Sequence, residues 1–183
     1  MAHGVTTIRE PGGSLSHKLK LELKKKSKKN TIIAPRIYAF STFNSRVKSP
    51  DEARNWVRDN AKNGSDGIKF FGAAPEIMQA AIEENKNLGL RSTSHHAQLN
   101  VVRWNVLNSA RAGLNSMEHW YGLPEALFND RIIQDYPAYY NYQNEQHRFE
   151  EAGKLWKQAA KPYSEHWNNV MNELISLDFT ISP

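Results

Sequence analysis

The sequence predicts an α/β protein built as a partial TIM-type (β/α)8 barrel of about six parallel strands. Three observations carry that expectation. Short β-type segments alternate in series with helical ones, which calls for helical crossovers and a parallel sheet. Polar residues able to do chemistry fall at the C-terminal ends of three successive strands, the rim where parallel barrels work, and this favours a barrel over a doubly wound sheet. The chain has 183 residues, short of the roughly 250 of a complete eightfold barrel, and a long late stretch of it reads as helix.

The first β-type segment, residues 5–9, precedes a lysine-rich helix in which Leu15, Leu19 and Leu23 recur at fourfold spacing, the pattern of an amphipathic helix whose lysines face water. Residues 36–40 form the second strand and 51–62 the second helix. There Ser49-Pro50-Asp51-Glu52 joins an N-cap, a first-turn proline and a capping-box glutamate, and Gly64 follows the end. Residues 67–71 make the third strand. Pro75 opens a helix over 76–88 that puts Ile77, Met78, Ala81, Ile82 and Leu88 on one face before Gly89 stops it. The fourth strand is 91–95 and the fourth helix 99–112, closed by Gly113. The fifth strand is 116–120.

After Pro124 the texture turns helical from 142 to 176, with Phe149, Leu155, Trp156, Trp167, Val170, Met171, Leu174 and Ile175 as the apolar members and Pro162 as the break between two helices. Asp178-Phe179-Thr180-Ile181 reads as a last strand. This is one incomplete domain: βα units over 1–122, a helical insertion over 123–176 and the last strand within 177–183.

Composition narrows the function classes. With 39% apolar and 23% charged residues the chain is of the soluble globular kind. It has no cysteine, which removes a disulfide framework, a thiolate zinc site and a cysteine nucleophile, so any metal must use histidine, carboxylate or modified lysine. No apolar run approaches the ~18 residues of a membrane span, and Met-Ala-His-Gly-Val-Thr-Thr lacks the basic start and apolar core of a signal peptide, so neither a membrane nor a nucleic-acid partner is expected. The net charge of +5 is local, because the seven lysines and one glutamate of residues 18–29 outweigh it.

The chemical groups sit at strand ends. In Gly67-Ile68-Lys69-Phe70-Phe71, period two turns Ile68 and Phe70 to one face and Lys69 to the other, and a buried ammonium there needs a partner. In Arg91-Ser92-Thr93-Ser94-His95-His96 imidazoles arrive at the C-terminal end of a strand, and Ser116-Met117-Glu118-His119 repeats the arrangement. A single imidazole can simply donate to a carbonyl; one lysine and two histidines on three successive strands point to a shared site. The alternative for Lys69 is an ordinary ion pair with Glu118 or Glu10.

Gly4-Val5-Thr6-Thr7-Ile8-Arg9, Asp66-Gly67-Ile68-Lys69, Gly89 followed by His95, and Ala112-Gly113-Leu114-Asn115-Ser116-Met117-Glu118-His119 together resemble the metal-dependent amidohydrolase superfamily, in particular its imidazolonepropionase-like and prolidase-like branch. The resemblance runs over about residues 4–122. It implies a distorted (β/α)8 barrel with one or two divalent metals, usually zinc, that hydrolyses amide or related bonds. It further implies that Lys69, ending the fourth strand of the complete barrel, is carboxylated by carbon dioxide to bridge two metals, with His95 and His119 on the fifth and sixth strands binding the second ion. The chemistry suits these residue types. A lysine ammonium cannot ligate zinc, whereas a lysine carbamate is anionic and offers two oxygens, and neutral imidazoles are good zinc ligands. His95 is favoured over its neighbour by its spacing from Gly89. His96, Trp120 and Tyr121 are then possible borders of the pocket, while His3, His17, His147 and His166 match no ligand position and are expected in solvent.

The family also carries a His-x-His pair ending its first strand and an aspartate ending its eighth, and neither is among these residues. Glu10 stands where relatives often have aspartate. The expectation is therefore an internal segment of a metal-dependent amidohydrolase, itself inactive because the general-base aspartate lies outside it, acting within its parent on a small-molecule or peptide-like substrate. It would associate with copies of itself or with the absent barrel segments. Two other readings remain: a non-catalytic interaction protein that keeps a remnant of the fold, and a basic binder of nucleic acid or acidic surfaces through residues 18–29.

Overall fold

The computed structural model describes residues 3–182 apart from 13, 14, 44, 45, 99 and 102. Thirteen elements follow in order: β1 (Thr7–Glu10), α1 (His17–Lys28), β2 (Arg36–Thr42), α2 (Pro50–Lys62), β3 (Gly67–Phe70), α3 (Pro75–Asn87), β4 (Arg91–Ser94), α4 (Val106–Ala112), β5 (Ser116–Glu118), α5 (Leu123–Ala126), α6 (Glu145–Leu155), α7 (Glu165–Ser176) and β6 (Thr180–Ser182). The six strands pair in sequence order, all in parallel. They curl into a half-barrel with helices around it, the partial α/β barrel that the serial βα pattern predicts. No helix among the described residues is long and apolar enough to cross a membrane.

Local chemistry explains where the helices start. Ser49 Oγ accepts from the Glu52 backbone N–H at 3.2 Å and Pro50 occupies the first turn of α2. The Glu52 carboxylate, however, accepts from Lys48 N–H at 2.9 Å, one residue outside the expected capping box. The fourth helix is shorter than its periodicity predicts. The expected start, Leu99, lies outside the described residues, and α4 begins at Val106. Asn105 accepts from the N–H groups of Leu107 and Asn108, and Asn108 Oδ1 accepts from Asn105 N–H in return. That reciprocal box fixes the N-terminus, while Gly113 at φ 104° closes the other end.

Two cores hold the helices against the outer face of the sheet. Ile68 and Phe70 of β3 pack with Ala53 and Val57 of α2 and Ile77, Met78, Ala81 and Ile82 of α3. Met117 of β5 packs with Val106 and Ala110 of α4, Leu123 and Ala126 of α5, and Val170 and Leu174 of α7. Because strand side chains alternate, Lys69 and Glu118, which flank these core residues in sequence, face the concave side.

The lysine helix is rotated from its expected setting. Leu15 and Leu19 are exposed, while Lys20 is only 3% exposed and Ser27 is buried. Lys20 pairs with Glu10 at 3.3 Å, Lys24 with Asp66 at 2.7 Å, and Ser27 Oγ donates to the Pro35 carbonyl at 2.7 Å. Three polar anchors from β1, the β2 entry and the turn before β3 thus set the rotation, and long lysine stems supply the apolar contact that leucines were expected to give. Likewise Phe149 and Ile175, read as apolar members of the late helices, are exposed, and helix is absent from 156 to 164, a wider break than Pro162 alone predicts.

Candidate metal centre

Lys69 stands in the middle of β3, opposite Thr42 of β2 and Thr93 of β4. It is 5% exposed. Gly12 covers it from the loop after β1, where a side-chain Cβ would lie 3.5 Å from Lys69 Cγ and 2.8 Å from Thr42 Oγ1. The two carboxylates proposed as its ion-pair partners are engaged elsewhere: Glu10 with Lys20, and Glu118 with Arg9 and, at 2.8 Å, with the Thr93 hydroxyl. Among the described residues Lys69 makes no ion pair, and its Nζ lies 5.5 Å from the centre of the Phe71 ring. Burial lowers the ammonium to about 8; the nearby Glu118 charge opposes that and Arg9 adds to it.

His95 follows β4 directly, its backbone N–H donating to the Phe70 carbonyl at 2.9 Å. His119 follows β5 in the left-handed conformation at φ 61°, its N–H donating to the Ser182 carbonyl of β6 at 2.8 Å. Adjacent parallel strands therefore deliver both imidazoles to the same rim, with ring centres 5.1 Å apart. Phe71 and Tyr121 flank His95 at 5.6 and 5.1 Å. No ring nitrogen of either histidine is hydrogen-bonded within the described residues. Burial lowers His95 to about 4, helped by the nearby His119, Lys69 and Arg148, so it is a neutral imidazole at pH 7.

These donors fit a divalent ion in kind. Two imidazoles have unclaimed ring nitrogens, and Lys69 lies on β3, beside the strand that ends at His95, without an anionic partner among the described residues. They do not complete a site by themselves, since no group of three His, Asp or Glu among the described residues could hold a metal ion. Glu118, the nearest carboxylate in sequence, is held by Arg9 and Thr93 instead.

The other expected site residues separate. Tyr121 is buried, its ring centre 5.1 Å from that of His95. Trp120 packs on Trp156 at 5.8 Å and belongs to the helical layer. His96, counted as a border, lies behind the rim: it is buried, with Nε2 2.8 Å from Ser109 Oγ of α4, because neighbouring residues leaving a strand face opposite sides. Of the four histidines expected in solvent only His3 is exposed. His17 packs beside the hydroxyls of Ser41 and Ser65, His166 reaches the Ala126 carbonyl at 3.1 Å, and His147 lies against Tyr139 and Tyr140. The Arg9–Glu118–Thr93 network was not foreseen. The available signal was strand parity, which turns Arg9 and Glu118 to the face of Lys69.

Burial also pushes His96 down to about 3, with His95 and Lys69 adding to the effect. An unfolded histidine titrates near 6.5, so at mildly acidic pH the unfolded chain takes up a proton that the native state refuses. Stability therefore falls as pH drops through that window, by about 1.4 kcal/mol per pH unit well inside it. His96→Gln is expected to make the decline of the urea midpoint between about pH 6 and 5 shallower, with His95 and His17, also lowered by burial, supplying the remainder. Equal slopes in the two proteins would refute this.

No family model and no curated protein matches the chain. Solved structures do. A Xaa-Pro dipeptidase with methionine bound in its active site is 17% identical over 97% of this chain and 54% of its own, with a TM-score of 0.53. A protein of uncharacterised function is 13% identical over 98% of this chain and 54% of its own, with a TM-score of 0.56. A protein described as a prolidase from Bifidobacterium longum is 28% identical over 63% of this chain and 33% of its own, with a TM-score of 0.49. The chain thus spans between a third and about half of the length of these structures. The first two likenesses establish a shared fold.

Proposed function

We propose that this chain is part of a metal-dependent hydrolase that cleaves amide or related C–N bonds, with Lys69, His95 and His119 holding its metal. The observation that carries the reading is the meeting of His95 and His119, 5.1 Å apart with no hydrogen-bond partner for either ring among the described residues, at the ends of β4 and β5, the two strands that follow the Lys69 strand β3 in the sheet. Zinc is the ion that two imidazoles and an oxygen donor suit, and when bound it polarises a carbonyl and acidifies water. Lys69 becomes an oxygen donor when its neutral amine adds to carbon dioxide and loses a proton. Its lowered pKa favours the neutral amine that this addition needs.

The chain's other residues prepare the rim. Arg9 and Thr93 hold Glu118 below it, and the Tyr121 ring closes the side of His95. Among the described residues no carboxylate stands free beside the two imidazoles to accept a proton. The reading therefore predicts a chain that binds zinc without turnover.

Equilibrium dialysis of the 183-residue chain against zinc and bicarbonate tests this, followed by incubation with acylated amino acids and dipeptides. Stoichiometric zinc that Lys69→Met weakens, without hydrolysis, is the expected result. A chain that retains no zinc overturns the metal reading, and turnover that His119→Ala abolishes overturns the inactivity.

A further inference from the structure

The half-barrel has a cleft at the strand ends opposite to those that carry His95 and His119. It encloses about 790 Å³ between the C-terminal half of α1 and the starts of β1 and β2, with Asp66 at its side. Pockets of that size hold whole small molecules.

The charge of its lining is one-sided. The Asp66 carboxylate is spent: Lys24 Nζ meets one oxygen at 2.7 Å, and the Ala39 N–H donates to the other at 2.8 Å. Lys28 and Arg36 also line the cleft, both exposed, and neither makes an ion pair or a side-chain hydrogen bond among the described residues. Two positive charges therefore face the same space without a counter-charge. The end of α1 does not supply one, because its last carbonyls are already accepting. Lys25 accepts from the Lys29 N–H at 3.1 Å, Ser27 from the Asn30 N–H at 3.0 Å, and Lys26 from the N–H and the hydroxyl of Thr31 at 3.0 and 3.1 Å.

A phosphate monoester answers this lining. It carries close to two negative charges at neutral pH and offers three strong acceptor oxygens, which serve an ammonium and a guanidinium fork together. A carboxylate would neutralise only one of the two cations. The phosphate itself fills a small part of the cleft, and the wall beyond it includes the ring of Tyr38, 42% exposed, a flat face on which a ligand ring can stack.

We propose that this cleft binds a phosphate monoester of a ring-bearing small molecule, with the phosphate on Lys28 and Arg36 and the ring along Tyr38. The site does not rest on the hydrolase reading, since it shares no residue with the metal centre and lies at the other end of the strands.

Adenosine monophosphate, adenosine and inorganic phosphate are the probes, each titrated by calorimetry into the 183-residue chain with a chelator present, so that a failure here is distinct from a failure to bind zinc. The nucleotide is expected to bind about tenfold or more tighter than adenosine, through its charge-assisted contacts, and about fivefold or more tighter than inorganic phosphate, through the stacked ring. The Lys28→Gln/Arg36→Gln double variant should erase the preference over adenosine, while Lys28→Arg, which keeps the charge, should retain it. Lys25→Gln, at an exposed lysine of the same helix outside the cleft lining, should change nothing. Tyr38→Leu should bring the nucleotide down to the affinity of inorganic phosphate. Nucleotide and adenosine binding alike, no binding by either, or a loss in Lys25→Gln equal to that of the double variant overturns the site. Inorganic phosphate binding as tightly as the nucleotide overturns the ester and assigns the cleft to the free anion. The comparison of the three ligands on the parent chain stands whether or not any variant folds.

Discussion

His95→Ala and His119→Ala are each expected to lower the zinc affinity proposed for this chain by at least about 100-fold. Partners that merely orient a zinc-bound histidine are worth roughly 10- to 100-fold, so loss of the imidazole itself sets a higher floor. The two rings stand 5.1 Å apart with no competing hydrogen bond among the described residues. His3→Ala, at an exposed position, leaves the affinity unchanged. Competition with a chromophoric chelator measures all three. The pH profile adds a second check. His95, lowered to about 4, stays neutral through the mildly acidic range, while Lys69 loses its proton near 8. Zinc affinity in bicarbonate should therefore still be climbing as pH rises through about 8. Alanine variants that bind like the parent would place the metal elsewhere, and an affinity that stays flat through about pH 8 would remove Lys69 from the site.

Gly67→Ala is expected to destabilise the fold by about 3 kcal/mol or more, at or beyond the usual upper range for overpacking. A Cβ at Gly67 would lie 2.3 Å from the Arg91 carbonyl oxygen and 2.6 and 2.7 Å from ring atoms of Phe40. The position cannot move aside, because Gly67 is in register with Phe40 on β2 and Arg91 on β4. Any shift carries Lys69 with it, so zinc affinity should fall along with the urea midpoint. Adding Phe40→Leu should relieve part of the loss but not all, since the backbone contact with Arg91 remains; full recovery would show that the ring alone was limiting. Gly153 is the contrast. A Cβ there meets nothing within 4 Å, in the exposed part of α6, and Gly153→Ala should gain up to about 1 kcal/mol from helix propensity.

The sequence by itself determined the serial βα order, the parity that turns Ile68 and Phe70 outward and Lys69 inward, and the delivery of His95 and His119 to one rim. Each is a local property: a cap such as Ser49 with Pro50, a period of two along a strand, a histidine at the strand's C-terminal end. Parallel strands joined by helices then align equivalent ends without further information. Tertiary structure alone decided which charges meet. Glu118 goes to Arg9, 109 positions away, rather than to Lys69, and Glu10 goes to Lys20. The rotation of α1, with Lys20 inside and Leu19 outside, follows from where those carboxylates stand, which no helical period encodes. Pair choices of this kind are set by distance and desolvation in the folded chain, and residues far apart in sequence carry no local trace of them.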